Sequence, residues 1–77
     1  MLYYDPDMQS LFEQLGLDTD PDSIDEFIEK NKIYSHELHL ADAPFWNESQ
    51  SEFIRESIYY DSEWSNSIDE LDVILRN

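Results

Sequence analysis

The acidic residues between positions 18 and 29 are the first group that could hold a metal ion. The segment reads DTDPDSIDEFIE and places acids at positions 1, 3, 5, 9 and 12 of a twelve-residue window, close to an EF-hand calcium loop. That loop needs glycine at position six, where this chain has Ser23. In an EF-hand, the helix before the loop also runs up to position one. In this chain Gly16 ends the preceding helix before that position. Pro21 and the apolar spacing that begins at Ile24 predict instead a helix that starts inside the window.

A second group of metal-ligand types lies between positions 36 and 42. His36 and His39 are three residues apart, with Glu37 and Asp42 nearby. Imidazoles and carboxylates are zinc ligands, and on a helix this spacing would bring the two rings to one face. The chain has no third histidine and no cysteine to complete the set. We therefore favour the interpretation that these residues form the polar rim of a loop. We predict no cofactor. A metal site at His36 and His39 is the alternative.

Tyrosine is the residue type most suited to binding another protein. The chain has five tyrosines in 77 residues, which is more than so small a core should absorb. If several share an exposed face, that face is a candidate protein-binding surface or homodimer interface; otherwise each is half-buried with its hydroxyl in water. The candidate partner-binding residues are Tyr3, Tyr4, Tyr34, Tyr59 and Tyr60.

Catalytic groups are hard to assemble from this sequence. It has no cysteine nucleophile, a single glycine where a phosphate-binding loop needs several, and only four bases for an oxyanion or phosphate clamp. A chain of this length also has little room for a walled pocket. We predict that the protein is not an enzyme.

Charge is the most extreme property of the chain. Nineteen acids against four bases give a net charge of −15 at neutral pH, which repels nucleic acids and anionic lipids and favours a partner with a basic surface. The acids are spread evenly, with eight in residues 1–26, five in 27–52 and six in 53–77. Because that spread does not distinguish a solubilising surface from an imitation of phosphates, a DNA mimic that occupies a nucleic-acid-binding protein is an alternative function.

Targeting and membrane segments are not apparent in the sequence. No segment approaches the roughly 20 apolar residues of a membrane span, and the N-terminal MLYYDPDMQSLF has neither the basic nor the apolar part of a signal peptide. The lack of cysteine gives no indication of an oxidising compartment. We expect a cytoplasmic protein of one domain, residues 1–77, that is a monomer or a weak homodimer.

Helical periodicity places most of the chain on four segments. An aspartate cap precedes both Pro6 and Pro21, and Asn47 is a third N-cap with a capping-box glutamine three residues later. Two capping-type residues at 61 and 62 interrupt the last apolar stripe, so we favour two helices there over one continuous helix from 48 to 76. The sequence predicts an all-α fold with helices at about 6–15, 21–31, 48–60 and 62–75.

The segment from 32 to 46, KIYSHELHLADAPFW, lacks a helical period but is rich in apolar residues. A loop of this length in a compact domain is usually fixed or functional, so we predict an ordered connector that packs across the helices. Phe45 and Trp46 could form an exposed binding loop. A domain this small needs their apolar mass in its core, and we predict that both rings are buried.

Five stretches carry a family resemblance: LADAPFW (40–46), SEFIRESI (51–58), DSEWSNSIDELDVIL (61–75), SLFEQLGL (10–17) and IDEFIE (24–29). Together they resemble, over about residues 8–76, a family of short bacterial proteins catalogued as domain of unknown function 2789. The resemblance implies a compact, all-α orthogonal bundle. It implies no activity, because the family has no assigned catalytic residues. The expectation about function rests on the tyrosines and the net charge. From these we expect a protein-interaction module that binds a basic macromolecular partner.

Overall fold

Four α-helices make up most of the fold. The computed structural model describes residues 5–60 and 62–76, and the structural statements below refer to those residues. The helices are α1 (Pro6–Gln14), α2 (Pro21–Lys30), α3 (Glu48–Tyr59) and α4 (Ser65–Arg76), and a 3₁₀ turn spans Leu40–Asp42. The described residues contain no strand. The predicted all-α bundle is confirmed, and α3 and α4 are separate helices.

The first two helices start at their predicted caps. The carboxylates of Asp5 and Asp20 each accept a hydrogen bond from the backbone N–H three residues later, at 2.9 and 3.0 Å. Gly16 has φ of +75° just past the end of α1, a left-handed conformation that would strain any side chain. Because α2 begins at Pro21, the acidic window from 18 to 29 is a helix start and does not wrap around a central ion.

Capping of α2 also lowers the pKa of Asp20, because its carboxylate accepts hydrogen bonds from the side chain and the backbone N–H of Ser23. A lowered pKa means that folding favours the ionised form. The stability that this carboxylate contributes is therefore present above about pH 4. It is lost as the pH falls through the lower, folded-state pKa.

The apolar stripes of the four helices meet in a core in which α4 is central. α1, α2 and α3 each pack against α4. The largest fully buried side chains are Phe12, Met8, Leu11, Ile24, Ile54, Ile68, Leu71 and Leu75. All eight lie on the helical spacing that the sequence predicts, and burial of such stripes is the main source of helix stability in a protein of this size.

The start of α4 differs from the prediction, since the helix begins at Ser65 and not at 62. Ser62 belongs to the turn before it: its N–H donates to the Ser57 carbonyl at 3.0 Å, and its own carbonyl accepts from Ser65 at 3.0 Å. The Ser62 hydroxyl also accepts a hydrogen bond from the Trp64 N–H at 3.2 Å. A serine that bonds to its own turn in this way competes with helix formation. The other helix ends agree with the prediction within one residue.

One end of the connector between α2 and α3 is attached to α4. The Ile33 N–H donates to the Leu75 carbonyl at 2.9 Å. The Arg76 guanidinium donates to two connector carbonyls, those of Ser35 at 3.0 Å and Leu38 at 2.6 Å. These contacts satisfy backbone groups that a long loop would otherwise leave unpaired. The predicted ordered connector is confirmed.

The other end of the connector packs against α2 and α3. The Trp46 ring N–H donates to the Leu40 carbonyl at 2.8 Å in a buried position, and the Trp46 ring centroid lies 5.5 Å from that of Phe27. The Ser51 hydroxyl donates to the Ala41 carbonyl at 2.5 Å. Trp46 is buried, and Phe45 is half-buried beside it. The predicted burial is confirmed for Trp46, whereas Phe45 packs against the core with part of its ring exposed. The 3₁₀ turn between these rings and α2 was not predicted.

Candidate partner-binding surface

The three tyrosines that the structure describes all lie on the surface. Tyr34, Tyr59 and Tyr60 expose 88%, 79% and 72% of their area. A half-buried ring with only its hydroxyl in water would be far less exposed, so the core does not explain any of the three. The other two predicted residues, Tyr3 and Tyr4, lie outside the described residues.

These tyrosines do not form one surface. Tyr34 follows Ile33, whose N–H bonds to Leu75 near the end of α4, whereas Tyr59 and Tyr60 precede the start of α4. Ten residues of α-helix rise about 15 Å, so the two locations are separated by most of the length of α4. The structure divides the predicted set into an isolated Tyr34 and an adjacent pair.

Tyr59 and Tyr60 form an aromatic pair at the end of α3. Their ring centroids are 4.8 Å apart with an interplanar angle of 89°, an edge-to-face arrangement. Edge-to-face contact is one of the arrangements that aromatic rings prefer. Tyr59 is the last residue of α3 and Tyr60 is its C-cap, with its N–H bonded to the Glu56 carbonyl. The pair is therefore an ordered, solvent-exposed apolar surface.

A row of exposed acids leads along α3 to this pair. Glu48, Glu52 and Glu56 follow one another at intervals of four residues and are all exposed, so they are neighbours along the helix surface. Tyr59 and Tyr60 follow Glu56 at three and four residues, the next positions on the same side. We call Glu48, Glu52, Glu56, Tyr59 and Tyr60 the α3 stripe. Carboxylates and tyrosine ring faces both attract Lys and Arg side chains.

The arginines of the protein do little to neutralise the stripe. Arg55 bonds to Asp42 at 2.6 Å and Arg76 bonds to Asp72 at 2.7 Å. The acids of the stripe belong to neither ion pair. The surface along α3 is therefore negative at neutral pH, consistent with the net charge of the chain.

The two histidines lie at the rim of a groove, and the backbone between them is not helical. His36 and His39 are both exposed and lie in the connector before the 3₁₀ turn. In the part of the chain that the structure describes, no three histidines or carboxylates are arranged to hold a metal ion. The geometry thus gives no support to the alternative metal site.

The groove runs between the connector and α4 and has a volume of about 430 Å³. Its apolar lining is Leu38, Leu40, Ile58 and Ile68, and its polar lining is His36, Glu37, His39, Asp69, Asp72 and Arg76. We call it the connector groove. Sequence reasoning identified the histidines but missed Asp69 and Asp72. They come from α4, about thirty residues further along the chain, and only the attachment of the connector to α4 brings the two segments together.

None of the helices in the described residues is both long enough and apolar enough to cross a bilayer. No curated protein matches the chain. A family model described as a protein of unknown function (DUF2789) matches residues 1–75. The solution NMR structure of protein CV0237 from Chromobacterium violaceum is similar, with a TM-score of 0.80, 37% identity, and coverage of 91% of this chain and 87% of that chain. The chain therefore belongs to the DUF2789 family, as its LADAPFW motif suggested.

Proposed function

We propose that this protein is a protein-interaction module and that the α3 stripe binds the basic surface of a partner protein. The observation that carries the proposal is the exposure of Tyr59 and Tyr60, 79% and 72%, in a pair whose rings contact each other. An ordered apolar surface of this kind contributes nothing to the core. It costs little conformational entropy to place in an interface, since a tyrosine has few rotatable bonds.

The acids of the stripe favour a basic partner over a neutral one. A partner bound at the tyrosine pair has Glu56 next to it, followed along α3 by Glu52 and Glu48, which are exposed and at helical neighbour spacing. Complementary charge of this kind raises the association rate and excludes acidic proteins. The tyrosines then supply the apolar contact area, and their ring faces accept cationic side chains. Affinity is expected to come from the tyrosines, and selectivity from the acids.

The test begins with the immobilised protein and a cell lysate at about 50 mM salt, where charges are screened less than at high salt. Bound proteins are then eluted at about 500 mM salt. We expect a basic protein to be retained and then released. That protein, once identified and purified, is titrated against the wild type and against the double variant Tyr59→Ser, Tyr60→Ser. Loss of a binding hot spot costs about 2 kcal/mol or more, so we expect the affinity to fall at least about thirtyfold.

Tyr34→Ser is the matched control, because Tyr34 is the same residue type and is even more exposed. It lies near the opposite end of α4, so we expect less than a twofold change in affinity. Equal losses in the control and the double variant would contradict the proposal. So would a lysate from which no protein is retained in a salt-dependent way.

A further inference from the structure

We infer that the connector groove receives a lysine or arginine side chain of the partner, a step that rests on the proposed function and adds a second contact to the α3 stripe. The groove is open, and at about 430 Å³ it is within the usual range for pockets that bind small molecules. Ile58 lines it and directly precedes Tyr59 in the chain. A bound partner can therefore reach the groove and the tyrosine pair together.

The lining of the groove fits a side chain that is apolar along its stem and positive at its tip. Leu40 and Ile68 lie almost completely buried beneath it, and Ile58 is partly exposed. Lysine and arginine side chains commonly lay their methylene stems along apolar surface and keep the charged group at a polar rim. Glu37 and Asp69 supply that rim, one from the connector and one from α4.

The charge balance of the groove is negative because its one arginine is already engaged. The Arg76 guanidinium donates to Asp72 at 2.7 Å and to the carbonyls of Ser35 and Leu38 at 3.0 and 2.6 Å. Arg76 and Asp72 thus offset each other. Glu37 and Asp69 take part in no ion pair among the residues that the structure describes. The carboxylates of Glu37 and Asp69 therefore remain at the rim without an ion-pair partner among the described residues.

Other occupants fit this lining less well. Glu37 and Asp69 repel an anion, and the Arg76 donors that would attract one are directed at Asp72 and the connector. A second copy of the chain would bring its own charge of −15 to the same surface, and such repulsion opposes self-association. A cationic side chain is the occupant that complements both the apolar floor and the acidic rim.

The test uses a blocked tripeptide, acetyl-alanyl-arginyl-alanine amide, titrated into ¹⁵N-labelled protein at pH 7.5, where histidine is ordinarily neutral. We expect saturable amide shift changes at residues 37–40, 58 and 68–72. A tripeptide with norleucine in place of arginine keeps the apolar stem without the charge and should bind up to about fivefold more weakly, since a charge at a partly exposed rim contributes up to about 1 kcal/mol.

Charge variants distinguish binding in the connector groove from general electrostatic attraction to the acidic protein. Glu37→Gln with Asp69→Asn removes both rim charges, and we expect about a fivefold loss of affinity for the arginine tripeptide. Glu13→Gln with Glu29→Gln removes the same charge at exposed positions outside the groove and should change the affinity less than twofold. Equal losses in the two double variants would overturn the inference, as would shift changes confined to residues outside the groove.

The purified partner distinguishes failure of this inference from failure of the proposed function. If the tyrosine double variant loses the partner while the groove double variant binds as tightly as the wild type, the groove inference fails and the proposed function stands. If neither double variant weakens binding of the partner, both fail. Weakening by each, with Glu13→Gln and Glu29→Gln unchanged, is the outcome we expect.

Discussion

Two aromatic pairs, Phe45–Trp46 and Tyr59–Tyr60, lie at opposite ends of α3. The first packs into the core, whereas the second is exposed to solvent. Trp46 is only 8% exposed, whereas Tyr59 is 79% exposed. Each pair has ring centroids 4.8 Å apart. Ring contact within a pair therefore does not decide whether it is buried.

The difference lies in what surrounds each pair. Trp46 has a hydrogen-bond acceptor inside the protein, the Leu40 carbonyl, and an aromatic neighbour in Phe27, which in turn contacts Phe12. An indole can be buried only when its N–H finds such a partner. Tyr59 and Tyr60, at the end of α3, have no such core neighbours among the described residues: each contacts the other ring and is largely exposed to solvent. The first pair stabilises the fold, and the second is available for binding.

Removal of the Trp46 ring should have the largest effect on folding. Trp46→Ala deletes a buried ring and removes one of the two donors to the Leu40 carbonyl, the other being the Ala43 N–H, so we expect the free energy of unfolding to fall by about 3–5 kcal/mol. Urea denaturation followed by circular dichroism measures the loss. Trp46→Phe, which keeps most of the ring, should lose less. A loss below about 1 kcal/mol in Trp46→Ala would mean that the indole is not a core residue.

Removal of the Arg76 guanidinium should detach the connector from α4 and have the next largest effect. Arg76→Ala deletes three charge-assisted hydrogen bonds. Because the side chain is 26% exposed, we expect the lower part of the usual range, about 1.5–2 kcal/mol. Faster amide exchange at Ile33 would identify the detached segment. Arg76→Lys keeps the charge but not the fork of donors, and should recover less than half of the loss.

Loss of the N-cap at the junction of connector and α3 should have a smaller effect. The Asn47 side chain accepts from the Gln50 N–H at 2.8 Å, while the Gln50 side chain accepts from the Asn47 N–H and donates to the Leu15 carbonyl. We expect Asn47→Ala to lower the free energy of unfolding by about 1 kcal/mol, measured by urea denaturation. Asn47→Asp keeps the acceptor and should be close to wild type. Equal losses in both would show that the cap is not responsible.

The tyrosine pair should contribute least to folding. Its substitution therefore tests most directly whether the two aromatic pairs differ in their role. For Tyr59→Ser with Tyr60→Ser we expect a change in unfolding free energy within about 0.5 kcal/mol, as for other surface substitutions. Thermal unfolding of the double variant beside Tyr34→Ser provides the measurement. A loss above about 1.5 kcal/mol would assign the pair to the fold, and its proposed binding role would lose its basis.

Much of the fold was predictable because its determinants are local. Asp5 and Asp20 followed by proline mark two helix starts, and Gly16 marks a helix end, through backbone preferences that act within a single turn. The start of α4 was predicted three residues too early, because the side chain of Ser62 bonds to its own turn. The same residue type is common both at caps and in turns, so sequence alone does not distinguish the two.

The candidate site was predictable only as a set of residue types. The sequence identified exposed tyrosine as the feature to examine, but it grouped Tyr34 with Tyr59 and Tyr60, which the fold places near opposite ends of α4. It also grouped His36 and His39, for which it favoured an exposed loop rim over a metal site, but it did not predict that they line a groove with Asp69. Sequence proximity does not specify which segments meet, because contacts between distant parts of the chain depend on packing.

The sequence by itself determined the helices, their caps, the acidic surface and the family, since these depend on residue type and short-range spacing. Only the tertiary structure decided that Tyr59 and Tyr60 are exposed together and apart from Tyr34. It also created the connector groove, by joining residues 35 to 38 to the end of α4 through Arg76. The physical reason is that burial and electrostatic surroundings are properties of assembled elements, and no single segment contains them.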